Sequence, residues 1–132
     1  MLTLMVLKKN RKIIGNMPIK LLIVEDDIEI SQFTEKKLNE KGIFSIFCVS
    51  TFNEAITYLN NNNPSDIILD LRLPDGNGVD ILKYIQKKDI KPSVYVFTSS
   101  SELEQTCLRL GADGFFDKAE GTEQLIKTIL SN

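Results

Sequence analysis

A chain of 132 residues, 42% of them hydrophobic, is long enough to bury one proper core and too short for a second domain. Its formal charge of −2 argues against the concentrated basic surface of a nucleic-acid binder, and no apolar stretch approaches the roughly 20 residues of a membrane span. Five of the 16 basic residues and none of the 18 acidic ones fall in residues 1–20, which leaves the rest of the chain at a net −7. The apolar run Leu2 to Leu7 is too short for a usual secretory core and precedes the basic cluster. Residues 1–16 are therefore expected to be an upstream extension outside the fold, with one domain over residues 17–132. The two cysteines, Cys48 and Cys107, lie far apart inside apolar segments; they read as core filling in a reducing cytoplasm.

Ile19 to Val24 is a short, β-branched, nearly continuous apolar run, the pattern of a strand buried on both faces. A first helix follows, with Asp26 and Glu29 at capping-box spacing, a stripe of Ile30, Phe33 and Leu38, and Gly42 at its end. Ile43 to Val49 is a second strand. Thr51 and Glu54 repeat the capping-box spacing before Phe52, Ala55, Ile56 and Leu59, and an asparagine run with Pro64 breaks that second helix. The third strand is Asp66 to Asp70. The turn Pro74-Asp75-Gly76-Asn77-Gly78 is dense in residues that accept unusual backbone angles, and it leads to a helix bearing Val79, Leu82 and Ile85. Val94 to Thr98 makes a fourth strand. Ser101 and Glu104 head a fourth helix with Leu103, Cys107, Leu108 and Leu110, ended by Gly111. Phe115-Phe116 marks a fifth strand, and Thr122 to Leu130 the last helix.

Strict strand–helix alternation implies an α/β fold, a parallel sheet wound on both faces by helices, because each right-handed crossover needs a helix to return the chain. Ligands in such folds bind beyond the carboxyl ends of the strands. Glu25 and Asp26 stand at the end of strand one, Asp70 of strand three, Thr98 of strand four and Lys118 of strand five. Singly, these are a cap, a turn residue, a β-former and a surface charge. Together they bring acids, a hydroxyl and an amine to one rim, where the acids repel one another unless a divalent cation or a shifted pKa relieves them.

Four ordered segments, Leu22-Ile23-Val24-Glu25-Asp26-Asp27, Asp70 through Gly78, Val96-Phe97-Thr98-Ser99 and Gly111 through Lys118, make the chain resemble a response-regulator receiver domain of two-component signalling. The resemblance covers about residues 19 to 131. It implies a stand-alone, chemotaxis-regulator-like receiver with a doubly wound, five-stranded, flavodoxin-like sheet of order 2-1-3-4-5. By the same resemblance Asp70 is the phosphoacceptor, Glu25, Asp26, Asp70 and the Arg72 carbonyl hold Mg²⁺, Thr98 is the conformational hydroxyl, Lys118 pairs with the phosphoryl group and Phe115 is the switch aromatic. The chain departs from the family pattern in two places. Ala119 stands where proline commonly follows the lysine, so a trans Lys118–Ala119 bond is expected, since a non-proline cis bond costs about 2.5–4 kcal/mol. Phe115 replaces the common tyrosine and offers no hydroxyl.

The expected function is a phosphorylation-operated switch. A histidine kinase or phosphotransfer protein donates to Asp70, since the chain holds no histidine, and the face of the fourth helix, fifth strand and fifth helix changes its affinity for a protein target or for a second copy. The chain ends soon after the fifth helix, which carries the expectation of no output domain: it acts by contact, without nucleic acid or membrane, and is no enzyme beyond its own phosphoryl chemistry. Two other classes compete. An aspartate-nucleophile phosphatase needs a second aspartate two residues beyond the nucleophile, where this chain has Arg72. A non-phosphorylated pseudo-receiver would be an interaction module only, and the complete acid, hydroxyl and lysine set argues against it.

Overall fold

The computed structural model describes residues 18–132; the extension expected over residues 1–16 lies outside them. Five strands form the main sheet: β1 (Leu21–Val24), β2 (Ile46–Val49), β3 (Asp66–Leu69), β4 (Ser93–Thr98) and β5 (Gly114–Asp117). All pair in parallel in the order β2-β1-β3-β4-β5, the flavodoxin-like order that the resemblance implies. Between the strands run α1 (Ile28–Glu40), α2 (Phe52–Asn61), α3 (Gly78–Gln86) and α4 (Glu104–Arg109), and α5 (Thr122–Ser131) closes the chain. β1, β3 and β4 are buried along their whole length, as their unbroken apolar runs require.

Alternation along each strand feeds two cores. Leu22, Val24, Ile67, Leu69, Val94 and Val96 pack on one face beneath α2, α3 and Cys107 of α4. Leu21, Ile23, Ile68, Tyr95 and Phe97 pack on the other against Leu38 of α1 and Leu125, Ile126 and Ile129 of α5. Every strand therefore ends with its carboxyl terminus at the same rim.

Several local expectations are corrected. The second strand is shorter than Ile43 to Val49, and Phe44 is 74% exposed, because β2 is an edge strand with incomplete cover. For the same reason Cys48 is exposed rather than core-filling, while Cys107 is buried. The inward face of α1 is Ser31, Thr34 and Leu38, at helical spacing back from Leu38. This turns Phe33 outward, half exposed, into a groove between α1 and α5. Leu108 of α4 is likewise 41% exposed, since a helix of six residues buries only Cys107.

Caps also shift. Asp27, not Asp26, caps α1, its Oδ1 accepting from the N–H groups of Glu29 at 3.0 Å and Ile30 at 3.3 Å. Thr51 caps α2 as expected, and Glu54 reaches back to the Ser50 N–H. Ser101 serves α4 with its main-chain oxygen instead of its hydroxyl. No peptide bond among the described residues is cis, in line with the trans Lys118–Ala119 bond expected.

Candidate functional site

Three consecutive acids at the end of β1 take three separate positions. Glu25 stays in the sheet's hydrogen-bonded frame through its N–H to the Val49 carbonyl, and only 4% of it is exposed. Asp26 is the first residue to leave the sheet and is exposed. Asp27 is engaged as the cap of α1. Asp70 follows β3, with its N–H bonded to the Val24 carbonyl and only 3% of the residue exposed. Glu25, Asp26 and Asp70 each offer an oxygen within 4.8 Å of the others.

Lys118 crosses from the end of β5 to meet them. Its Nζ lies 2.7 Å from Asp70 Oδ2 and 2.8 and 2.9 Å from the two Glu25 oxygens. Its backbone is set by an N–H bond to the Thr98 carbonyl at 3.1 Å, so β4 and β5 together fix where the amine starts. Burial pushes the Lys118 ammonium toward its neutral form, but hydrogen bonds to Asp70 and Glu25 outweigh it and hold the pKa above its ordinary 10.5. The strain of the crowded acids falls on Glu25. Burial, reinforced by the Asp70 charge and opposed by the Lys118 hydrogen bond, moves its carboxyl from 4.5 up to about 7.

The remaining expected residues sit around this group rather than in it. Thr98 is buried at the end of β4, its Oγ1 accepting weakly from the Ser100 N–H at 3.4 Å. Phe115 is half-buried in β5 opposite Val96, packed on the core beneath α2, α3 and α4. Alternation puts Val96 and Thr98 on one face of β4, so Thr98 and Phe115 share that side of the sheet. The Arg72 side chain is exposed, and the main-chain N–H of the residue donates to Asp70 Oδ1 at 3.3 Å.

Two residues of the turn after Asp70, Asn77 and Gly78, serve otherwise than through the unusual backbone angles expected of that turn. Gly78 does not use an unusual backbone angle; among the described residues only Gly42 and Gly111 have positive φ. It is glycine because a Cβ there would stand 2.3 Å from the Asp70 carbonyl oxygen, so the chain can turn back under Asp70 only without a side chain. Asn77 caps α3 through Oδ1 to the Val79 N–H at 2.8 Å, and its place just before the apolar positions of that helix was a readable signal.

A sequence model of the response regulator receiver domain matches residues 21–130. The chain belongs to that family. Among solved structures, this receiver domain resembles the signal receiver domain of a protein described as a Luxo repressor from Vibrio parahaemolyticus, at 31% identity over 86% of this chain and 88% of that one, TM-score 0.77. It also resembles the receiver domain of Francisella response regulator 1452, at 29% identity over 85% and 93% of the two chains, TM-score 0.77. A CheY-like response regulator receiver domain protein from Methanospirillum hungatei JF-1 is 25% identical over 86% and 92%, TM-score 0.76. The family match encloses every residue of the site.

Proposed function

We propose that this receiver domain is a phosphorylation-operated switch in which Asp70 takes a phosphoryl group from a phosphohistidine on a separate histidine kinase or phosphotransfer protein. The observation that carries the reading is the Lys118 ammonium held 2.7 Å from a buried Asp70 carboxylate. Attack by an Asp70 oxygen forms a P–O bond as the donor's P–N bond breaks, and phosphoryl transfer asks the protein mainly for positioning and neutralised charge. Lys118 offers a compact cation at the oxygen it already touches, and the Arg72 N–H orients the other.

The donor set suits a hard divalent cation: three carboxylates, all oxygen, gathered within 4.8 Å. Glu25, Asp26 and Asp70 would hold Mg²⁺, with the Arg72 carbonyl beside them, and the ion when bound would offset charge on the phosphoryl oxygens. Because Asp27 and not Asp26 caps α1, Asp26→Ala isolates the metal role. It is expected to weaken Mg²⁺ binding about tenfold while raising the melting temperature of the metal-free protein, as carboxylate repulsion is relieved. Unchanged affinity in a calorimetric titration would remove Asp26 from the ligand set.

Thr98 then supplies a hydroxyl to the phosphoryl group, and Phe115 moves with it on the same side of the sheet, altering the face of α4, β5 and α5 that a protein partner or a second copy reads. The domain turns over nothing beyond its own phosphoryl group and works in the cytoplasm; no helix among the described residues is long and apolar enough to cross a membrane. The test against a pseudo-receiver is binding of beryllofluoride, a phosphoryl analogue. Mg²⁺-dependent binding that shifts the Thr98 and Phe115 amide resonances supports the switch, and no binding supports a pure interaction module.

A further inference from the structure

The loop that carries Asp70 is anchored at its far end by a residue that the switch reading leaves without a task. After Asp70 the chain folds into a two-residue hairpin, Arg72–Leu73 against Gly76–Asn77, and Asp75 sits at its tip. The Asp75 carboxylate crosses to another part of the chain, accepting from the Phe52 N–H at 2.6 Å on one oxygen and the Asn53 N–H at 3.0 Å on the other. These are open donors of the first turn of α2. A second contact lies alongside, for a Cβ on Gly76 would stand 2.8 Å from the Phe52 ring. The hairpin is thus seated directly against the first residue of α2.

We propose that Asp75 is a positioning residue for phosphoryl transfer, clamping the acceptor loop to the N-terminus of α2 so that Asp70 and Arg72 stay in register with Glu25 and Asp26. This rests on the switch reading of the site. The loop has two ends to hold. Asn77 fastens one to α3, whereas Asp75 alone ties the hairpin tip across to α2 by side-chain hydrogen bonds among those between described residues. Arg72, paired with Asn77 across the hairpin, donates its main-chain N–H to the Asp70 carboxylate. A hairpin released at its tip lets that N–H and the neighbouring carbonyl drift relative to β1, where the other acids stand. The clamp is also constant in charge. The Asn53 N–H above all, with that of Phe52, holds the Asp75 carboxyl below the usual carboxylate range, so it remains an acceptor throughout the neutral range.

The fold supplies its own control. Thr51 caps the same helix through Oγ1 to the Glu54 N–H at 3.1 Å, and none of its hydrogen bonds among the described residues goes to the hairpin. Thr51→Ala and Asp75→Ala therefore both remove a cap from α2, and only the second frees the loop. Both are expected to lower the urea midpoint. Asp75→Ala alone is expected to slow phosphorylation by acetyl phosphate with Mg²⁺ about tenfold and to accelerate hydrogen exchange at the Arg72 and Gly78 amides. Asp75→Asn, whose carboxamide keeps one acceptor oxygen of the two, should fall between wild type and alanine. If Asp75→Ala and Thr51→Ala match in rate and in exchange, Asp75 is a helix cap only and the proposal is overturned. A loosened loop with an unchanged rate overturns it as well. Wild-type protein that takes up no phosphoryl group defeats the switch reading instead, a separate outcome because exchange in Asp75→Ala still reports whether the clamp exists.

Discussion

Asp70→Asn abolishes phosphoryl uptake from acetyl phosphate in the presence of Mg²⁺: that is the expected result, read as the loss of the single added phosphoryl group in intact-protein mass spectrometry. The substitution keeps size and shape, so the core beneath the acceptor is undisturbed. It removes the anionic oxygen that the proposed transfer needs as nucleophile. It also mismatches the hydrogen bonds, since both Asp70 oxygens face donors, Lys118 Nζ at 2.7 Å and the Arg72 N–H at 3.3 Å, and a carboxamide has one acceptor oxygen for two donors. Undiminished labelling of the variant would move the acceptor elsewhere and sink the assignment of Asp70.

Removing the lysine should cost the fold more than any other change at the rim. Lys118 is the cation between two carboxylates that are almost wholly buried, with side-chain exposures of 15% for the lysine, 3% for Glu25 and 4% for Asp70. Lys118→Met keeps the apolar stem and leaves the acids facing each other. Breaking one side of a buried ion pair is costly, and Glu25 can escape part of the penalty by taking up a proton, so a loss of about 2–3 kcal/mol at neutral pH and above is expected. The pH dependence has a definite sign. Glu25 has a folded value raised from 4.5 to about 7, so any stability it contributes is complete below 4.5 and disappears as pH rises toward 7. Lys118 is also raised, above 10.5, so its contribution is present through the neutral range and is lost only as pH climbs past that value. Without the lysine the Glu25 penalty deepens as the carboxyls ionise. Urea unfolding in EDTA should therefore show a larger deficit for Lys118→Met at about pH 8 than at about pH 5. Adding Glu25→Gln should recover much of it. Equal deficits at the two pH values would show that the side chain matters only as packing.

Legible in the chain itself were the elements and the rim. Ile67-Ile68-Leu69 and Val94-Tyr95-Val96-Phe97 are apolar on both alternating faces because both faces are covered, and that signal is local. Once the strands are parallel, their carboxyl ends must meet at one edge, which is why the sequence alone places Glu25, Asp26, Asp70, Thr98 and Lys118 at one rim. Tertiary structure decided what each residue does there. Glu25, Asp26 and Asp27 are near-equivalent in sequence, yet one is buried against Lys118, one is exposed at the acidic rim and one caps α1, because the chain leaves the sheet between the first and the second. Phe33 and Cys48 are apolar but face outward, since cover runs out at the β2 edge and α1 presents Ser31, Thr34 and Leu38 to the core instead. Gly78 answers to the approach of the Asp70 carbonyl and Asp75 to the N–H groups of Phe52 and Asn53, 22 or more residues away. Periodicity and capping patterns encode contacts within a turn or a strand, and contacts between distant segments exist only when packing of the whole chain brings them together.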